Sequence, residues 1–179
     1  MKKRNAYAFI LAAAIPLLIL LAMTVKPLAT LIYGREILLQ AQAVDHGDSF
    51  RGDYVSLEYK ISTLPKDLLP DNVAKYRGNP VKNLTLYASL RSEGRFYVID
   101  SVSENKPSNG LYLKGIVRYY DYSNLPDSVY IEYTLDKYFV TQGSGSGFQA
   151  ASGQDELTAK AKVLDGYAIL TGVQVSNLK

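Results

Sequence analysis

The chain has 179 residues, with 20 Lys and Arg against 17 Asp and Glu, a single histidine and no cysteine. Those counts exclude disulfides, thiol chemistry and a zinc site of the usual Cys/His kind. No D-x-D-x-D calcium loop occurs either, so no metal or other cofactor is expected.

Residues 5 to 25 carry no charge, and Lys2, Lys3 and Arg4 stand directly before them. As a helix such a run is about 31 Å long, which matches the roughly 30 Å hydrocarbon core of a bilayer. A cleaved secretory signal has a shorter apolar region, about 7–15 residues, with a small-residue cleavage site close behind. Here Ala12-Ala13-Ala14 falls inside the run, and Ala41-Gln42-Ala43 lies well beyond it. The reading is an uncleaved anchor over residues 1–26 and one further domain over 27–179. Pro16 removes one backbone bond inside the span, which bilayer helices tolerate. The basic N-terminal cluster places the N-terminus in the cytoplasm and the domain outside the cytoplasmic membrane. All 17 acidic residues lie beyond residue 26, with 16 of the basic ones, so the domain carries −1. No basic patch is visible, and nucleic acid is not an expected partner.

Beyond Pro27 an alternation of period two dominates. Ile37 to Val44 reads as a strand, and Asp45-His46-Gly47-Asp48 as a turn. From Tyr54 to Ile61 the residues Val55, Leu57, Tyr59 and Ile61 share one face. Tyr54, Ser56, Glu58 and Lys60 share the other. Leu64 to Pro80, with three prolines, reads as a long connection with one helical turn near Asp71–Lys75. Strands follow at Leu84–Leu90, Phe96–Val102, Leu111–Tyr120 and Val129–Thr134. Gly143 to Gly153 is rich in glycine and serine and reads as a loop. Leu157–Leu164 and Tyr167–Val175 flank Asp165-Gly166, a two-residue type I′ hairpin signal. About eight antiparallel strands with close turns predict an all-β domain, either a β-sandwich or a partly closed barrel.

Fourteen of the 15 tyrosines lie after the anchor. Tyrosine suits half-buried strand faces, and it also supplies rigid contact area for a ligand. Gly52-Asp53-Tyr54-Val55-Ser56-Leu57-Glu58-Tyr59 spells G-D-Y-x-x-L-x-Y. Gly52 permits a backbone conformation closed to other residues where a loop enters a strand. Asp53 shares parity with the core residues. A carboxylate so placed needs hydrogen bonds, from loop N–H groups or from Arg51, and it reads as a loop clamp. A second segment, Tyr138-Phe139-Val140 followed by Gly143 and Gly145, resembles Y-F-V-P-E-G, with Thr141 and Gln142 in place of proline and glutamate.

On these two segments the chain resembles the GDYXXLXY family of membrane-anchored bacterial proteins. The resemblance spans most of residues 27 to 179. It implies a multi-span membrane partner or another envelope component, and no particular reaction. Tyr138, Phe139, Gly143, Gly145 and Phe148 are the expected partner contacts, and Gly52, Asp53, Tyr54, Leu57 and Tyr59 the structural motif residues. The function expected is a membrane-anchored extracytoplasmic binding or accessory module, without catalysis. The enzyme alternative is a membrane-bound hydrolase resembling serine–lysine signal peptidases, in which a lysine of lowered pKa activates a serine. That family places its serine in an S-M-x-P-like segment before G-D. Here Asp48-Ser49-Phe50-Arg51 has neither methionine nor proline. His46 lies three residues before Ser49, but no G-x-S-x-G elbow accompanies them.

Overall fold

In lipid, a lone uncharged segment satisfies its backbone only as a helix. The computed structural model of the chain begins with one, α1, from Lys2 to Tyr33. The structure describes residues 2–44, 54–70, 81–120, 128–135, 137–139 and 157–175. Within α1, Ala12–Tyr33 is long and apolar enough to cross a membrane. The helix includes Pro16 and Pro27 and continues about two turns beyond Val25, where the uncharged run ends. Packing explains the extension. Thr30 is fully buried and its hydroxyl donates to the Lys26 carbonyl at 2.9 Å. Lys162 donates its ammonium to the Leu31 carbonyl at 2.6 Å, filling one of the acceptors that a helix end leaves open.

Only Gly34 separates the helix from the first strand. The strands are β1 (Arg35–Val44), β2 (Tyr54–Tyr59), β3 (Thr63–Pro65), β4 (Val81–Glu93), β5 (Phe96–Ser103), β6 (Tyr112–Tyr120), β7 (Ser128–Tyr130), β8 (Lys137–Phe139), β9 (Leu157–Leu164) and β10 (Tyr167–Val175). They form a five-stranded sheet in the order β10-β9-β1-β2-β8, a three-stranded sheet β5-β4-β6 and the pair β3-β7. All named pairings are antiparallel, and the sheets curl into a half-barrel. The all-β class is the one the alternation predicts, and the N-terminal helix the one the uncharged run predicts.

The core follows the alternation. Ile37, Leu39 and Ala41 of β1 are buried with Leu57 and Tyr59 of β2. Leu84, Leu86, Ala88 and Leu90 of β4 join them, as do Leu157, Ala159, Ala161 and Val163 of β9. Ile61 is buried too, but in a 3₁₀ turn over Lys60–Ser62 rather than in the strand.

Two further segments differ from the sequence reading. The connection expected from Leu64 contains β3, too short for a period of two to show. Leu64 is fully buried, and the strand pairs Thr63 with Tyr130 and Pro65 with Ser128. The strand expected over Val129–Thr134 covers only Ser128–Tyr130. The chain beyond it leaves β3 to bond with β6, through reciprocal backbone bonds between Ile116 and Glu132. The helical turn expected near Asp71–Lys75 lies outside the described residues.

Candidate functional site

The five-stranded sheet has two unlike ends. β1 starts beside the helix at Arg35 and ends at Val44, about 30 Å away along the strand. Register fixes what lies at each end. Arg35 faces Val163, and Leu164 faces Tyr167, so the β9–β10 turn stands beside the helix. Ala41 faces Leu157, which faces Val175. Val44 faces Ser56, and Tyr54 faces Phe139. The far end therefore gathers the start of β2 and the end of β8.

These are the strands of the two motif segments. Tyr54 of G-D-Y-x-x-L-x-Y is in register with Phe139, Val55 with Tyr138, and Ser56 with Lys137. Two segments some 85 positions apart in sequence are neighbours across one ladder. Gly52, Asp53, Gly143, Gly145 and Phe148 lie outside the described residues, as do His46 and Ser49. Val44, Tyr54, Phe139 and Leu157 all lie at this far end.

Two motif residues have a structural role in view. Leu57 is 3% exposed and sits in the core. Tyr59 is 1% exposed, and its hydroxyl donates to the Leu135 carbonyl at 2.6 Å. Tyr133 returns the tie, donating to the Ile61 carbonyl at 3.1 Å. Burial pushes the Tyr133 phenol up from its ordinary value, so it stays a donor throughout the physiological range. Together the two tyrosines bind the end of β2 to the segment that leads into β8. This motif tyrosine is thus used for packing and for a buried bond.

Beside the helix, a third group of residues meets that periodicity could not bring together. Asp165 and Gly166 have φ of 51° and 75°, the positive pair that a type I′ turn needs. Tyr112 donates its hydroxyl to Asp165 Oδ1 at 2.5 Å, and Lys106 Nζ lies 2.6 Å from the same oxygen. Lys106, then Tyr112, hold the Asp165 carboxyl below its ordinary range. Burial, then the bond to Asp165, pushes Tyr112 up. The amide of Lys114 donates to the Gly166 carbonyl at 2.9 Å. From the helix, the Lys26 ammonium stands 4.9 Å from the centre of the Tyr167 ring. A cleft of about 650 Å³ opens here, lined among others by Lys26, Lys114, Arg118, Glu132, Asp165 and Tyr167. The Asp-Gly signal locates the turn in the sequence. Nothing in the sequence pairs it with Tyr112 and Lys106. Among the described residues no group of three or more His, Cys, Asp or Glu could hold a metal ion.

A family model described as GDYXXLXY protein matches residues 16–173. No curated protein and no solved structure matches the chain.

Proposed function

The chain belongs to the GDYXXLXY family, and we propose that it is a membrane-anchored binding or accessory module whose far sheet end meets an envelope partner. One observation carries the reading: the two segments that resemble the family's motifs are paired strands, Tyr54 beside Phe139. They lie at the end of the sheet opposite the helix. A surface about 30 Å along β1 from the helix suits a contact with the extramembrane part of a multi-span membrane protein or another envelope component. The apolar helix and the basic residues at its start support an N-terminus in the cytoplasm and a domain outside the cytoplasmic membrane.

The test is site-specific photo-crosslinking in native membranes. A photoreactive residue at position 54 or 139 should give one discrete adduct. The same residue at position 100, on β5, should give none. Equal labelling from all three positions, or none from 54 and 139, would reject the far end as the contact. Protease added outside intact spheroplasts should digest the domain, and full protection would reverse the orientation.

A further inference from the structure

We infer that the cleft between the helix and the Asp165-Gly166 turn seats the phosphate-bearing headgroup of an anionic phospholipid in the leaflet the domain rests on. The inference rests on the anchored reading above. Three observations carry it.

The first is depth. Lys26 is the first charged residue after the uncharged run 5–25, and it lines the cleft. If residues 5–25 fill the hydrocarbon core, Lys26 stands at the headgroup layer, and a lysine there extends its ammonium toward the polar region. The next two turns of α1 expose Leu28, Leu31, Ile32 and Tyr33, at 51%, 41%, 59% and 77%. Such side chains in bulk water would be a costly patch, whereas apolar and aromatic residues at a membrane interface are ordinary. The cleft therefore opens among lipid headgroups.

The second is charge. The cleft wall carries two carboxylates and three cations. Asp165 is already met by Lys106 and Tyr112, and Glu132 by a two-pronged pair with Arg118. Lys26 and Lys114 form no ion pair among the described residues. The Lys114 side chain is exposed, and the Lys26 ammonium stands over the Tyr167 ring with Asp165 near enough to feel its charge. The cleft thus offers an excess of positive charge beside an aromatic ring, since Asp165 is shared with Lys106 and Glu132 with Arg118 while Lys26 and Lys114 remain outside any close ion pair among the described residues. An anion with a short polar body suits that arrangement better than a cation or a neutral sugar would.

The third is size. About 650 Å³ is within the range of small-molecule sites. The backbone around it is held by the Lys114–Gly166 bond and the Tyr112–Asp165 bond, so the seat needs little ordering when it fills.

The experiment is native mass spectrometry of the full chain, purified in detergent with chain-matched phosphatidylglycerol and phosphatidylcholine in equal amounts. The wild-type protein should retain phosphatidylglycerol in preference. Each lysine near an anionic surface is worth about fivefold, so Lys26→Gln with Lys114→Gln should bring the two lipids close to equal retention. Both side chains are exposed, so the melting temperature of the double variant should fall only slightly, through loss of the Lys26 contact with the Tyr167 ring. Arg91→Gln, on a distant exposed ion pair, should retain the preference. Equal retention by the wild-type protein would overturn the inference, as would a preference that survives the double substitution. Displacement of the lipid by excess inorganic phosphate would overturn it as well, by showing a free-anion site. Release of the chain from native membranes by alkaline carbonate would instead sink the anchored reading, whatever the lipid ratio shows.

Discussion

The two ends of the five-stranded sheet put the same backbone geometry to different use. Beside the helix, the β9–β10 turn is tied in three directions: to β6 by Lys114, to the loop before β6 by Lys106, and to the helix through Tyr167. At the far end, Leu57 and Tyr59 are fixed in the core while Tyr54 and Phe139 stand at the rim, paired to each other. One end ties the sheet to α1. The other presents a motif whose inner half is support. Within G-D-Y-x-x-L-x-Y, Leu57 and Tyr59 secure the strand, and Tyr54 opens it.

The largest effect that would break this division lies at Gly166. Its φ is positive, and a Cβ there would stand 2.6 Å from the Tyr112 ring. Gly166→Ala should cost about 2–4 kcal/mol, from the left-handed backbone and the overpacking together. Thermal unfolding of the full chain in detergent, followed by circular dichroism, measures it. A wild-type melting curve would show that the turn does not hold the domain.

Next comes the supporting half of the motif. Tyr59→Phe removes a buried donor and leaves the Leu135 carbonyl unmet, which should cost about 1–3 kcal/mol. Asp53→Ala should cost a similar amount if Asp53 clamps the loop, with Asp53→Asn costing less. The comparison sharpens if the two residues part company. Should Asp53→Ala melt like wild type yet abolish the crosslink from position 54, Asp53 belongs to the contact and not to the scaffold.

A smaller effect separates the ends by pH. Lys106, raised by its bond to Asp165, and Tyr112, raised by burial, favour their protonated forms in the fold. The unfolded chain releases those protons near 10 to 10.5. Their contribution is therefore complete below about pH 10 and is lost as pH rises through the raised values. Asp165 has the opposite sign. Its lowered value adds stability above the ordinary carboxylate pKa near 4, and that stability is lost as pH falls through the lowered value. Melting temperatures between pH 3 and 11 should fall at both extremes, and Asp165→Asn should flatten the acid side. An unchanged acid limb in that variant would place the acid sensitivity elsewhere.

The smallest effect is expected at Arg91, whose pairs with Glu93 and Asp100 are exposed. Arg91→Ala should stay within about 0.5 kcal/mol by the same melting assay. A larger loss would mean that surface charge holds the three-stranded sheet.

Much of this architecture is legible in the chain. Alternation gives the core faces of β1, β2, β4 and β9, because one wet face forces a period of two. Asp165-Gly166 marks its turn, since only special residues accept two positive φ values in succession. The partners are not legible. A period of two says which residues point inward and nothing about which strand lies alongside, so the pairing of Tyr54 with Phe139 needs the fold. β3 escapes because three residues carry no period. The last two turns of α1 escape because tertiary packing on Thr30, not local preference, keeps them helical past Pro27.

The near absence of a linker has a mechanical consequence. Gly34 alone joins α1 to β1, and Lys162 clamps the helix end from the neighbouring strand. On the anchored reading proposed above, the helix and the five-stranded sheet act as one lever with its fulcrum at the headgroups. A helix tilt of about 10°, well inside the range over which membrane helices lean, would swing the rim at Tyr54 and Phe139 sideways by roughly 5 Å. That is about one strand spacing. Membrane thickness would therefore set where the motif end reaches.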